Sequence, residues 1–285
     1  MSDVAFYRPT SREDLFRVFT PWGYGEFQMI EILSGVMELE NAKAVDLTGA
    51  ETFLVHYPAV WEYACIIGVG GTSGPWDYFG GGHGNVSKIS KTITVDGVDR
   101  TNAAPEVYFP GTTIVHTQNF NILLPSNNAV NCGTYQLKHT FTSDGVLVEV
   151  SLSPVLYTYE WYSAFTAMLP LGNLNKIKFG SNAVEEISNT VAPPVYYNLG
   201  SQETVFLATH TDHPYGIEMS LPCGGPNTVG SWLNGGTDCA YWVDQPGDQL
   251  AGGAKLYVID ISRDFALRKT AFNRSSATRY RIVKP

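Results

Sequence analysis

Thr134-Tyr135-Gln136-Leu137-Lys138-His139-Thr140-Phe141-Thr142, Ser143-Asp144-Gly145, Val146-Leu147-Val148-Glu149-Val150-Ser151-Leu152: this stretch decides the fold class. Two runs of alternating residues flank an Asp-Gly turn, the strongest short-range signal for a β-hairpin. The same punctuation recurs just upstream, where Lys91–Val95 runs into Asp96-Gly97 and Thr112–Leu124 leads toward the hairpin. Outward from there, strands are predicted from Phe27 through Leu33 and at Thr52–Tyr57, Trp61–Val69, Thr158–Met168 and Lys176–Phe179. More are predicted at Thr204–His210, Gly216–Leu221, Cys239–Val243, Lys255–Ile261 and Arg279–Val283. Trp61–Val69 is continuously apolar, as in a strand buried on both faces. Residues 1–25 read as an irregular N-terminal segment. It holds one short helix at Ser11-Arg12-Glu13-Asp14-Leu15-Phe16, with Ser11 as N-cap and acids in the first turn, ending before Pro21 and Gly23.

Composition agrees with many short strands. The 285 residues are 44% apolar and only 16% charged, too few charges for the Glu/Lys-rich faces of helical bundles. Twenty-eight glycines and 16 prolines supply turns. No repeat, heptad or charge block divides the chain, and strand signals resume on both sides of Pro193-Pro194. The expected architecture is therefore all-β: one domain over 1–285, an antiparallel two-sheet β-sandwich, jelly-roll-like, with one short N-terminal helix.

A net charge of −9 offers no basic footprint for nucleic acid and no cationic amphipathic helix for a membrane surface. The most apolar stretch, 54–71, contains His56 and Glu62 and does not read as a membrane span. The opening Met-Ser-Asp-Val lacks the basic and apolar regions of a signal peptide. Cys65, Cys132, Cys223 and Cys239 are too scattered for a disulfide scaffold and match no zinc ribbon. They read as buried thiols, with a Cys223–Cys239 pair across a loop as the alternative.

Strand parity yields the sharpest candidate site. Ile114, His116, Gln118 and Phe120 share one face of their strand; Tyr135, Leu137, His139 and Phe141 share one face of the next. A symmetric connection would set His116 opposite His139 and Phe120 opposite Tyr135. Lys138 has the opposite parity and faces away; Arg100 is a cation near the proposed site. Two imidazoles, a carboxamide and a phenol on one face suit proton abstraction beside a carboxylate. In a uronic-acid polymer the carboxylate must be hydrogen-bonded or neutralised before the C5 proton can leave. A His or Tyr then takes that proton, and another protonates the leaving glycosidic oxygen. The bland alternative is that His116 and His139 are ordinary half-buried sheet residues.

His83 stands in Gly80-Gly81-Gly82-His83-Gly84-Asn85, where the glycines allow close approach to a ligand, and Trp76, Tyr78 and Phe79 just before it can stack on sugar rings. His210 and His213 could hold a metal only if a turn at Pro214 brings them together. Paired carboxylates for hydrolysis, Glu149 with Glu160 or Glu203 with Glu218, stand in no diagnostic motif.

The loop Phe79–Gly84, the turn Val95-Asp96-Gly97, the segment Leu137–Val146 and the segment Tyr162-Ser163-Ala164-Phe165-Thr166-Ala167-Met168-Leu169-Pro170 resemble β-sandwich proteins of bacteriophage tails and exopolysaccharide-degrading systems. Jelly-roll polysaccharide lyases are the enzyme class this implies, although the short motifs of alginate lyases are not intact here. The resemblance covers about a third of the chain. It points to His83, His116, Gln118 and His139, and adds Tyr135 and Tyr162 as acid or base. The expected function is a lyase cleaving an acidic exopolysaccharide by β-elimination, without a cofactor or metal, acting outside the cell or on a virion. Trp76, Tyr78, Asn85, Gln118 and Arg100 would bind substrate. The alternatives are a non-catalytic carbohydrate-binding or tail-attachment protein, a two-carboxylate hydrolase and a structural virion protein.

Overall fold

The computed structural model describes residues 2–33, 35–55, 65–68, 76–79, 85–124, 127–154, 160–162, 167–170, 174–179, 185–186, 195–198, 205–220, 240–244, 255–259 and 274–285. Among these, no residue is helical. The strands are β1 (Val4–Thr10), β2 (Glu13–Thr20), β3 (Gly23–Leu33), β4 (Val36–Asp46), β5 (Glu51–Val55), β6 (Cys65–Gly68), β7 (Trp76–Phe79) and β8 (Val86–Val95). Next come β9 (Val98–Asp99), β10 (Tyr108–Gly111), β11 (Ile114–Leu124), β12 (Asn127–Thr142), β13 (Gly145–Pro154), β14 (Glu160–Tyr162), β15 (Ala167–Pro170) and β16 (Lys176–Phe179). The remainder are β17 (Glu185–Glu186), β18 (Val195–Asn198), β19 (Val205–Thr209), β20 (Gly216–Ser220), β21 (Ala240–Asp244), β22 (Lys255–Ile259) and β23 (Arg274–Val283).

Two large antiparallel sheets carry the architecture. One is six-stranded, in the order β10-β1-β2-β3-β4-β5; the other is ten-stranded, β17-β16-β19-β20-β23-β13-β12-β11-β8-β9. Smaller sheets run β14-β6-β7 and β15-β22-β21-β18. The large sheets form a sandwich because each presents an apolar face. Along β11 burial alternates strictly, with Ile114, His116, Gln118, Phe120, Ile122 and Leu124 inward. Phe6, Phe16, Phe27, Met29, Met37 and Leu39 answer from the six-stranded sheet. At the centre the Phe16 ring stacks on Phe141 at 4.3 Å and 6°, and Phe27 meets Phe141 at 6.0 Å.

The predicted hairpin forms, with β12 and β13 paired from Thr142↔Gly145 to Gly133↔Pro154. Gly145 is the left-handed residue of its turn (φ 97°), and a Cβ there would collide with the Tyr280 carbonyl oxygen. At the other Asp-Gly pair both Asp96 (φ 49°) and Gly97 (φ 80°) are left-handed, as a two-residue I′ turn requires. The Asp96 carboxylate also accepts the Thr112 and Thr113 backbone N–H groups, each at 2.9 Å, and so ties this turn to the start of β11.

The N-terminus corrects the sequence reading. Residues 2–25 are not irregular but run through β1, β2 and the start of β3, and Ser11–Phe16 is not a helix. Ser11 and Arg12 are the two turn residues between Thr10 and Glu13, which pair at the ends of β1 and β2. Asp14, Phe16 and Val18 point inward and alternate with Leu15, Arg17 and Phe19, so period-two burial overrides the local N-cap signal. The single strand expected at Thr158–Met168 is also revised: β14 and β15 belong to different sheets. The remaining predicted strands coincide with described strands where the structure describes them, within a few residues at their ends.

Because Phe141 bridges both layers, Phe141→Ala is expected to cost about 3–5 kcal/mol of unfolding free energy. Urea denaturation measures this; a loss below about 1 kcal/mol would contradict its place at the centre of the core.

Candidate functional site

The parity argument is met in register. His116 pairs with His139, Gln118 with Leu137 and Phe120 with Tyr135. The two imidazole centroids lie 5.8 Å apart, and the Phe120 and Tyr135 rings 5.9 Å apart. Depth is where the structure departs from expectation. His116 and Gln118 are 0% exposed, His139 1% and Tyr135 3%, because this face looks into the six-stranded sheet. The Phe16 ring stands 5.9 Å from His116. The groove expected across this face is the interior of the sandwich, and a polymer has no path to it.

Gln118 is engaged as a structural clip. Its Nε2 donates to the Met37 carbonyl at 2.8 Å, and its Oε1 accepts the Met37 N–H at 2.8 Å. The amide thus imitates a strand neighbour for β4 and is not free to neutralise a carboxylate. Burial pushes the His116 pKa down to about 3, helped by the positive charges of Lys91 and Arg8. Burial, with His116 as a second cause, holds His139 well below the ordinary histidine range. Both rings are therefore neutral at pH 7.

The nearby charges are themselves sequestered. Arg8 Nε donates to Asp14 Oδ1 at 2.7 Å, and Arg8 Nη1 donates to the Thr101 and Ala103 carbonyls, each at 3.0 Å. Lys91 reaches the other Asp14 oxygen at 3.4 Å. The Asp14 side chain is 1% exposed, so this ion pair joins β1, β2 and β8 inside the sandwich.

The other sequence candidates belong to other elements where the structure describes them. His83 lies outside the described residues. Trp76, Tyr78 and Tyr162 belong to the three-stranded sheet, where Ile66 pairs with both Tyr78 and Tyr162 and Trp76 pairs with Gly68. That register aligns the two tyrosines across three strands, but in a different sheet from the histidines. Asn85 (φ 54°) opens β8, and its carbonyl accepts the Leu123 N–H at 2.9 Å. Arg100 stacks over the Phe109 ring at 4.6 Å.

Of the carboxylate pairs for hydrolysis, Glu149 and Glu160 stand in different sheets. Glu149 is ion-paired with Lys138 at 2.7 Å, on the outward face where parity puts Lys138. Glu218 accepts from Arg281 at 3.3 Å, and Glu203 lies outside the described residues.

His210 and His213 do come together, stacked 5.1 Å apart at 20°. Yet each Nδ1 accepts a backbone N–H: His210 from Asp212 at 3.0 Å, His213 from Tyr215 at 3.4 Å. The Nδ1 lone pair of each ring is thus engaged by the backbone.

What the sequence reading passed over is the complementary parity of the same strands. Outward from β8, β11, β12 and β13 stand Ser90–Asn119–Gln136–Ser151 in one register row and Ser87–Asn121–Thr134–Ser153 in the next. Gln136 Nε2 donates to Asn119 Oδ1 at 2.8 Å, and Asn119 Nδ2 donates to Ser90 Oγ at 2.9 Å. In parallel, Asn131 Nδ2 donates to Asn121 Oδ1 at 2.9 Å, and Asn121 Nδ2 donates to Ser87 Oγ at 3.4 Å. Both ladders run the same way, from β12 toward β8. Asn131, Thr134, Ser151 and Ser153 are exposed and the central amides half-buried, so the face is open. The signal was available: Asn119 and Asn121 alternate with Gln118 and Phe120.

No family model matches this sequence, and no curated protein matches it. Among solved structures, the chain is similar to a galactose mutarotase-like protein from Clostridium acetobutylicum. The TM-score is 0.44 and the identity 10%, over 100% of this chain and 99% of that one. A likeness of this degree assigns no activity.

The sealed histidines set a pH dependence. Above about pH 6.5 the folded and unfolded chains both hold neutral imidazoles. Below it the unfolded chain binds protons that the folded chain refuses. For His116, stability is therefore lost as pH falls from about 6.5 toward about 3, by up to ~1.4 kcal/mol per pH unit. Unfolding free energies measured between pH 7 and 4 should fall less steeply in His116→Leu and His139→Leu than in the parent. Identical slopes would contradict their burial as neutral rings.

Proposed function

We propose that the protein binds a polysaccharide without cleaving it, on the outward face formed by β8, β11, β12 and β13. The polarised carboxamide ladders of Asn119–Gln136 and Asn121–Asn131 carry this reading. They are hydrogen-bonding groups held in fixed orientation on an open, regular surface, which is what a chain of sugar hydroxyls needs. The competing β-elimination reading loses His116, Gln118 and His139, which stand in the core, and keeps as candidates His83, outside the described residues, and Tyr162. The other outward surface, on the six-stranded sheet, is less suited. One row of its charges is paired across β2, β3, β4 and β5, with Arg17–Glu26 at 2.7 Å, Glu26–Lys43 at 3.0 Å and Lys43–Glu51 at 2.7 Å. Attachment to a glycan-coated surface, from outside a cell or from a virion, is the setting this role implies.

The test combines affinity electrophoresis in gels holding single polysaccharides with viscosity and ultraviolet absorbance of the same mixtures. Retardation by at least one polymer, with constant viscosity and no unsaturated uronide, is the expected result. New absorbance would overturn it in favour of elimination, and its loss on His83→Ala would put that chemistry in the glycine-rich loop. New reducing ends without absorbance would indicate hydrolysis instead.

A further inference from the structure

Resting on that reading, we infer that the polymer is an uncharged, hydroxyl-rich glycan, laid across the strands along the two amide ladders. The first reason is hydrogen-bond inventory. A carboxamide has two N–H donors and two acceptor lone pairs. Among the described residues, Asn119 uses one donor, to Ser90, and one lone pair, for Gln136. Asn121 likewise uses one of each, to Ser87 and for Asn131. Each therefore keeps a donor and an acceptor whose direction is already set by its neighbours. A sugar hydroxyl, which donates and accepts at once, matches that pair; a carboxylate, which only accepts, matches half of it.

The second reason is charge. The rows Ser90–Asn119–Gln136–Ser151 and Ser87–Asn121–Thr134–Ser153 contain no ionisable side chain. The adjoining row does, but its Lys138 is neutralised by Glu149 at 2.7 Å. A uronate polymer would meet no uncompensated cation on these rows, on a chain whose net charge of −9 repels it. The acidic polysaccharide expected from the sequence is thus the wrong class for this face.

The third reason is spacing. Neighbouring strands stand about 4.8 Å apart, close to the length of one sugar unit in an extended glycan. A chain crossing β8, β11, β12 and β13 would meet a polar side chain at each step. No aromatic ring stands in either row, so each contact is weak, and affinity comes from repetition along a polymer.

Three measurements decide it. Wild-type protein is run in gels containing hydroxyethylcellulose, mannan or dextran, and in gels containing alginate, polygalacturonate or hyaluronan. Asn119→Ala, Gln136→Ala and the double variant are run beside it, with melting temperatures recorded. The side-chain amide NMR signals of Asn119, Asn121 and Gln136 are followed in unmutated protein as the retarding polymer is added, so the test survives a variant that fails to fold. Support is retardation by a neutral polymer at least about ten times stronger than by any acidic one. It also requires a weakening of about 5- to 10-fold per variant and shifts of those amide signals. Preference for an acidic polymer, with the ladder variants still defective, overturns the inference but leaves the binding reading standing. Binding indifferent to the variants, with unmoved amide signals, overturns this face as the site. Binding to none of the polymers overturns both.

Discussion

Gln118 donates to and accepts from the Met37 backbone across the sandwich, and the arrangement of both sheets depends on that contact staying dry. Each neutral hydrogen bond contributes only about 1 kcal/mol net. Losing the amide would leave a buried backbone donor and acceptor of β4 unpaired, at a cost of about 1–3 kcal/mol for each. The clip also fixes which face of β11 is inside. With Gln118 inward, His116, Phe120 and Ile122 must be inward as well, and their partners Leu137, Tyr135 and His139 on β12 follow by register. The same constraint turns Asn119, Asn121 and Gln136 outward. One alternation thus buries the apparent acid–base groups and exposes the amide ladders.

Period-two patterning made much of this legible. The Asp96-Gly97 and Ser143-Asp144-Gly145 turns, the β12–β13 hairpin and the facing of His116 with His139 all follow from alternation and turn chemistry, which are local properties. Depth is not local. Parity tells which side chains share a face, but whether that face meets water or a second sheet depends on strands more than eighty residues away, such as β4 opposite Gln118. Polar residues on a strand invite the assumption of an open face; here Phe16 stands 5.9 Å from His116 and the Met37 backbone takes Gln118. The N-terminal error has the opposite origin. Ser11 followed by two acids satisfies a local capping rule, while the fact that Asp14 finds Arg8 inside the sandwich is visible only once β1 and β2 are folded together.

Several charged groups among the described residues cancel in pairs. Asp14 takes Arg8 and Lys91, Glu26 takes Arg17 and Lys43, and Lys138 takes Glu149. Such pairing adds little stability on a surface and offsets a large desolvation cost inside. It also removes these ions as recognition elements. Among the described residues, Asn119 and Asn121 keep a donor and an acceptor on the outward face of β11, and a partner meeting these rows would find a neutral hydrogen-bonding array.

The sealed state of the histidine pair is the premise from which the outward face gains its role, and histidine side-chain NMR reads it directly. The ring signals of His116 and His139, followed from pH 8 to pH 5 in folded protein, should stay at their neutral positions throughout. Movement of either signal along a titration curve centred near the ordinary histidine value of about 6.5 would contradict it, showing a ring open to solvent and to substrate.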